Sequence, residues 1–289
     1  MSDENIARNI AGRTLWILKS DDIGSGIEAV QSGKVEGIWI ARCKGFFGRD
    51  LDFLKKIKSI RALWINDANG LDLSGLEYAA DLEFLGLSDT DCPFDLGQLA
   101  NLKRLIFSVA KGRPLPAVGL PKLRQLGMWG FDGKDLTILK AYPELETLEL
   151  IQARKLASLD GLENCQNLTE LVVAYCPALL NIGTLGTLGK LQSLDFENVK
   201  KIEEYKPLAN LALLKKLIID KAAPLKNIDF VRNLRDLEHV VIRNTAILDA
   251  DLSALKLLPL LSHTYMDNKK EYEPILSELK KILQTPNSD

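Results

Sequence analysis

The chain of 289 residues has few of the side chains on which catalysis usually depends, since it contains only two histidines and four cysteines. The cysteines stand at positions 43, 92, 165 and 176, and no two of them have the C-x-x-C spacing of a zinc or redox motif. We therefore predict no metal, no cofactor and no catalytic residue. Free thiols also fit a reducing compartment.

Charge of one sign is not in excess either, because 37 Lys and Arg stand against 39 Asp and Glu. A balanced chain without a long basic run creates no field that would attract nucleic acid. No apolar run approaches the ~18 residues that a membrane helix needs. The N-terminus lacks the basic flank and apolar run of a signal peptide. We expect a cytoplasmic protein that binds neither nucleic acid nor membrane.

An internal repeat dominates the sequence. Its core is an L-x-L phrase with a third apolar residue three positions earlier, as in Leu145, Leu148 and Leu150. The first apolar residue of the phrase recurs twelve times at spacings of 20–25 residues, and after Leu148 the spacing is 23 throughout. The aligned residues are Leu15, Ile38, Leu63, Leu85, Leu105, Leu126, Leu148, Leu171, Leu194, Leu217, Val240 and His263.

This pattern resembles the leucine-rich repeat family, in particular the short repeats of internalins and phosphatase regulators. The resemblance covers about residues 12–268. It implies an α/β repeat solenoid, a curved horseshoe with about twelve short parallel strands on its concave face. After each strand the apolar positions recur every third residue, as in Leu156, Leu159 and Leu162. This period predicts an irregular convex side of 3₁₀ turns and short helices.

Repeat proteins grow in one dimension, so the length of the chain does not require two domains. We expect a single leucine-rich repeat domain over residues 1–289, with an N-terminal cap at 1–13 and repeats at 14–268. A capping helix is predicted within 269–284, where Ile275, Leu276 and Leu279 share a helix face, and residues 285–289 form a tail.

The turns that follow the strands lack the family's asparagine ladder. The ladder position, five residues after the aligned residue, holds Asn only once. We therefore expect the turns to depend on backbone hydrogen bonds and apolar packing. Cys43 and Cys176 occupy this position and Cys165 replaces a leucine, so we expect all three to be buried.

Tryptophan is concentrated on the predicted concave face. Three of the four tryptophans, Trp16, Trp39 and Trp64, lie at the middle of the L-x-L phrase in consecutive repeats, with Phe84 and Trp129 in flanking columns. Exposed tryptophan clusters are rare and tryptophan dominates many interfaces. We predict a binding hot spot here. The alternative is that the indoles pack on one another and on the N-terminal segment.

Acidic residues follow on the next strands. Like charges on adjacent strands repel, which favours a basic partner, whereas the alternative is a solvated charged face. Together with the tryptophans, we expect a partner protein with a basic and apolar surface. Arg243 borders this patch at its C-terminal end. The predicted acidic contacts are Glu149, Glu170, Asp195, Glu197 and Asp220.

The function predicted from these features is non-catalytic recognition of a partner protein through the concave face. A histidine pair is not expected, since the alignment places His239 outward and His263 inward. One alternative is an inhibitor or immunity-type protein that masks a cytosolic enzyme or toxin. Others are recognition of a peptide or sugar, or an enzyme subunit that uses the concave carboxylates. The sequence leaves the partner and the oligomeric state open.

Overall fold

The computed structural model describes residues 5–88, 95–108, 120–267, 269–272 and 275–284. The chain divides into two compact units, Met1–Trp129 and Gly130–Asp289. The expectation of one domain over 1–289 stays a prediction, and the predicted tail at 285–289 lies outside the described residues.

The first unit contains seven strands among its described residues, hydrogen-bonded in chain order. The first strand is antiparallel to the second, and the others run parallel. A nine-residue helix that the sequence analysis did not predict, α1 (Ile23–Gln31), joins the second strand to the third. The strands are β1 (Ile6–Ile10), β2 (Arg13–Ile17), β3 (Gly37–Ile40), β4 (Ala62–Ile65), β5 (Phe84–Leu87), β6 (Arg104–Ser108) and β7 (Gln125–Trp129).

The described residues of the second unit form six parallel strands, also in chain order. Helix α2 (Ile275–Gln284) follows them within the range predicted for the C-terminal cap, and its Leu276 and Leu279 are buried. The strands are β8 (Thr147–Ile151), β9 (Glu170–Ala174), β10 (Ser193–Glu197), β11 (Lys216–Asp220), β12 (His239–Arg243) and β13 (His263–Met266).

Short 3₁₀ helices recur in the connections, as the three-residue apolar period predicts. The apolar stretch around Leu51–Ile57 contains one of them, Asp52–Lys56. Along the described residues they span Arg42–Lys44, Asp52–Lys56, Ser74–Tyr78, Leu96–Gln98, Thr137–Ala141, Leu162–Asn164, Gly183–Thr187, Lys206–Asn210, Asp229–Asn233, Ser253–Leu257 and Lys270–Tyr272.

The inward residues of the strands form the core. Leu148 and Leu194 are fully buried, whereas Glu149 and Asp195, which alternate with them, remain partly exposed. Leu148 pairs with Leu171, which pairs in turn with Leu194, so the same inward position is stacked from strand to strand. The predicted alternation is therefore confirmed in these repeats.

Each of β8–β12 is followed by one residue in the left-handed region, with φ between 51° and 58°. These residues are Gln152, Tyr175, Asn198, Lys221 and Asn244. The first four donate their backbone N–H to the last carbonyl of the next strand, at 2.8–3.1 Å. Small side chains such as Ala153 and Val199 are fully buried behind these turns. Backbone hydrogen bonds and apolar packing thus replace the asparagine ladder, as predicted.

The register differs from the predicted one in the first and last repeats. Trp16 pairs with Ile38, so Trp16 and not Leu15 holds the inward position of β2. In β13, His263 pairs with His239 and Thr264 pairs with Val240. The first repeat is therefore one residue shorter than predicted and the last one residue longer. The segment around Trp16 is apolar at consecutive positions, so its periodicity does not distinguish the two faces.

The cysteine prediction is confirmed at two positions and wrong at one. Cys165 and Cys176 are fully buried, whereas Cys43 is exposed. Cys43 lies in the 3₁₀ helix Arg42–Lys44, and its N–H donates to the Asp67 carboxylate at 2.9 Å. This turn differs from the left-handed turns of the second unit. Cys92 lies outside the described residues.

Thiol labelling tests this difference. Burial raises the pKa of Cys165 to about 12 and that of Cys176 to about 11, so neither forms the reactive thiolate near neutral pH. In the native protein we expect a thiol reagent to label Cys43 rapidly, and to label Cys165 and Cys176 only after denaturation. Peptide mapping by mass spectrometry distinguishes the positions. Native labelling of Cys165 as fast as that of Cys43 would contradict the core assignment.

A glycine substitution tests the left-handed turns. Gln152 has φ 58°, a conformation that costs an L-residue about 1 kcal/mol and glycine nothing. We expect Gln152→Gly to raise the free energy of unfolding, or to leave it unchanged. The control is Gln192→Gly, at an exposed position without positive φ, which should lower stability by roughly 0.5–1 kcal/mol. Urea unfolding of the two variants measures the difference, and equal losses would argue against a strained turn.

Candidate functional site

The outward sheet face is the side of the strands opposite the inward leucines, the face that the sequence analysis expects to be concave. In the second unit it has three columns of side chains, read from β8 towards β13. The first column is Thr147, Glu170, Ser193, Lys216, His239 and His263. The central column is Glu149, Val172, Asp195, Ile218, Val241 and Tyr265. The third column is Ile151, Ala174, Glu197, Asp220 and Arg243.

In the first unit the N-terminal segment covers part of this face. Ile10 and Ala11 pack against the buried cluster that holds Trp39 and Trp64 at its margin. The Arg104 guanidinium on β6 donates to the Ala11 carbonyl oxygen at 3.1 Å. These contacts place the turn between β1 and β2 over the strands that carry the tryptophans. The cluster also contains Leu15, Ala62, Phe84 and Ile106.

Two aromatic residues of the predicted hot spot are therefore inaccessible. Trp16 is 1% exposed, because the register of β2 turns its indole into the core. Its prediction as a concave-face residue was wrong. Phe84 does lie on the outward face, but it is fully buried and stacks on Trp64 with ring centroids 5.9 Å apart.

The remaining tryptophans differ in exposure. Trp39 is partly buried and donates its indole N–H to the Asn66 side-chain oxygen. The Lys44 ammonium lies 5.3 Å from the centroid of its ring. Trp64 is also partly buried, whereas Trp129, on β7, is 40% exposed. Trp39 and Trp64 pack against the same buried cluster as Ile10 and Ala11 of the N-terminal segment, so they do not form an open ladder.

Two of the predicted acidic contacts in the second unit have partners within the chain. Glu197 accepts a hydrogen bond from the Tyr175 hydroxyl at 2.7 Å, and this bond raises the pKa of Tyr175. Asp220 is only 2% exposed, and it accepts bonds from Arg243 Nε at 3.0 Å and Asn244 Nδ2 at 2.9 Å. As an accessible contact Asp220 was predicted wrongly, because its neighbours enclose the carboxylate.

Asp195 lies at the centre of the face. Burial raises the pKa of its carboxyl group, while the nearby Lys216 ammonium opposes that shift. Its neighbours in the central column are Val172 and Ile218, so no second carboxylate stands directly beside it in that column. A shallow depression of about 500 Å³ is bordered by Asp195, Lys216 and Glu170. Within the described ranges, no cluster of three or more His, Cys, Asp or Glu side chains could hold a metal ion.

The two histidines are neighbours on this face, contrary to the sequence prediction. His239 and His263 are paired across β12 and β13, and their ring centroids are 5.8 Å apart. The prediction was wrong because the last repeat is one residue longer than its predecessors. Aligning the phrases HVVI and HTYM on their first residue would have found the pair.

Solved structures that are similar to this one include internalin C2 of Listeria monocytogenes. It is 23% identical to this chain, with a TM-score of 0.50 over 74% of this chain and 82% of its own. A second internalin of that organism, inlF, is 16% identical, with a TM-score of 0.40 over 88% of this chain and 92% of its own. The fold is that of the leucine-rich repeat proteins. No family model and no curated protein matches the sequence.

The predicted leucine-rich repeat architecture is thus confirmed. In the part of the leucine-rich repeat chain that the structure describes, no helix is long and apolar enough to cross a membrane.

Tryptophan substitutions test how this leucine-rich repeat sheet uses its aromatic residues. Trp64→Ala should lower the free energy of unfolding by about 2–4 kcal/mol, because it removes a partly buried ring and its stacking on Phe84. Trp129→Ala is the matched control and should cost less than Trp64→Ala, since Trp129 is 40% exposed. Urea unfolding monitored by circular dichroism measures both. Equal losses would contradict the structural role of Trp64.

Proposed function

We propose that the chain is a non-catalytic module that binds a partner protein through the outward sheet face of its second unit. The observation that supports this most directly is the central column. From β9 to β13 it is apolar except for Asp195: Val172, Ile218 and Val241 are partly exposed and Tyr265 is 54% exposed. The columns on either side are mostly polar or charged. An apolar centre with a polar rim is the usual anatomy of a protein interface. Repeat solenoids commonly use such extended sheet surfaces for recognition.

Preorganisation of the polar residues supports the same proposal. The Arg243 guanidinium is held by Asp220, and the Tyr175 hydroxyl is held by Glu197. Side chains that are already ordered lose less conformational entropy when a partner binds. The polar rim is therefore suited to recognition without a large rearrangement.

The proposed face differs in place from the predicted hot spot. Trp39 and Trp64 pack within the chain, so the proposed contacts move to β9–β13.

Burial of these indoles also weakens the case for stacking on a sugar or peptide. Catalysis by concave carboxylates would need two neighbouring carboxyl groups of different pKa. Asp195 has apolar neighbours in its column, but Glu197 lies two residues along the same strand, so this alternative stays a prediction. Location in the cytoplasm stays a prediction.

Substitutions on the two sides of the second unit test this proposal. We expect Ile218→Asp or Val241→Asp to reduce capture of a specific partner by at least tenfold, because the charge would be buried at the centre of the interface. Leu213→Asp is the matched control, since Leu213 is 44% exposed and lies outside the strands. Each immobilised protein is incubated with the same cell extract, and retained species are quantified by mass spectrometry.

The result that supports the proposal is a species retained by the wild type and by Leu213→Asp but lost from both sheet variants. Urea unfolding must first establish that all three variants are folded. If every retained species binds Ile218→Asp as well as it binds the wild type, the outward sheet face is not the binding surface.

A further inference from the structure

Charges of opposite sign are separated along the outward sheet face of the second unit. Accessible carboxylates lie on its first three strands, and cations lie on or directly after the next two. The boundary falls between β10 and β11. The carboxylates are Glu149, Glu170, Asp195 and Glu197, and the cations are Lys216, Lys221 and Arg243.

Within the strands of the cationic side the one acid is Asp220, and it does not break this order. A second acid, Asp267, directly follows β13 and is partly exposed. Asp220 is 2% exposed and is enclosed by Arg243 and Asn244, so it has little surface with which to contact a partner. Its main effect is to hold the Arg243 guanidinium, whose side chain remains half exposed. The imidazoles of His239 and His263 add hydrogen-bonding groups to the cationic side.

Opposite charges meet at the boundary itself. The Lys221 ammonium lies 3.9 Å from a Glu197 carboxylate oxygen. Lys216 is close enough to Asp195 to act on its ionisation. Charges next to the boundary therefore have counterions within the chain. Farther from it, exposed Glu170 continues the acidic side, and Arg243, paired with buried Asp220 but half exposed, continues the cationic side. Like charges on adjacent strands destabilise a sheet, and a partner of complementary sign would relieve that repulsion.

We infer that the partner presents a cationic segment over β8–β10 and an anionic segment over β11–β13, with apolar residues between them. This inference rests on the proposed function, and it replaces the uniformly basic partner that the acidic residues alone would favour. A uniformly basic surface would place its cations against Lys216 and Arg243, whereas a divided surface meets opposite charge on both sides.

The size of such a partner segment follows from sheet geometry. Six strands spaced about 4.8 Å apart extend over roughly 24 Å. An extended peptide covers about 3.3 Å per residue, so roughly eight residues cross the face. Short synthetic peptides are therefore adequate probes of the charge order.

The test uses three peptides with blocked termini: KKKVVEEE, its rearranged form KEKVVEKE, and KKKVVKKK. We expect the full-length protein to bind the first peptide at least tenfold more tightly than either of the others, by isothermal titration calorimetry at low salt. The first two peptides have the same composition and net charge. Only the order of charge distinguishes them.

Charge-reversal variants of the protein show which side chains determine the preference for KKKVVEEE. Glu170→Lys and Lys216→Glu should each weaken binding of KKKVVEEE at least fivefold, because both side chains are exposed and lie on opposite sides of the boundary. Lys201→Glu, at an exposed position outside the strands, should leave the affinity unchanged. Equal affinity for the three peptides overturns the inference, and so does undetectable binding of KKKVVEEE at millimolar concentration.

Failure of the inference is distinguishable from failure of the proposed function. A cellular partner lost from Ile218→Asp but retained by Glu170→Lys and Lys216→Glu would leave the proposed function standing and remove the charge order. Capture that does not depend on Ile218 would remove the proposed function itself.

Discussion

The stability of this fold depends on burial between neighbouring repeats. A single repeat contributes one short strand and one connection, which are too small to enclose their own leucines. Leu148, Leu171 and Leu194 are buried because each lies at the same position in adjacent strands. Burying one such side chain contributes roughly 1.5–3 kcal/mol. The array therefore gains stability from regular stacking, and an irregular repeat affects its neighbours as well as itself.

Regular stacking also requires a cover wherever the array ends. In the first unit, β1 adds an antiparallel strand beside β2, and the turn between them packs on the sheet near Trp39 and Trp64. Several large aromatic residues are buried or partly buried in this arrangement. Tryptophan is concentrated in the first repeats at least partly because Trp39 and Trp64 pack in the cluster that the N-terminal turn covers.

The second unit uses its outward face differently. Its apolar column is only partly covered, and the polar groups beside it are held by partners within the chain, as in the Asp220–Arg243 pair. Partial burial of Asp195 raises the pKa of its carboxyl group, so even the centre of this face is not fully solvated. Ordered charges around an apolar strip suit recognition of another protein, and their separation by sign restricts what that protein can present.

The sequence by itself determined the repeat, the inward leucines and the 3₁₀ connections, because a strand alternates its side chains and each repeat must match its neighbour. It also determined that the turns depend on backbone bonds, since the asparagine ladder is missing. Only the tertiary structure decided the registers of β2 and β13, the burial of Trp16, Phe84 and Asp220, the exposure of Cys43 and the adjacency of His239 and His263. Periodicity assigns a face only where apolar and polar residues alternate, and around Trp16 they do not. Whether an outward side chain is solvated depends on which distant segment crosses it, and no local pattern records that contact.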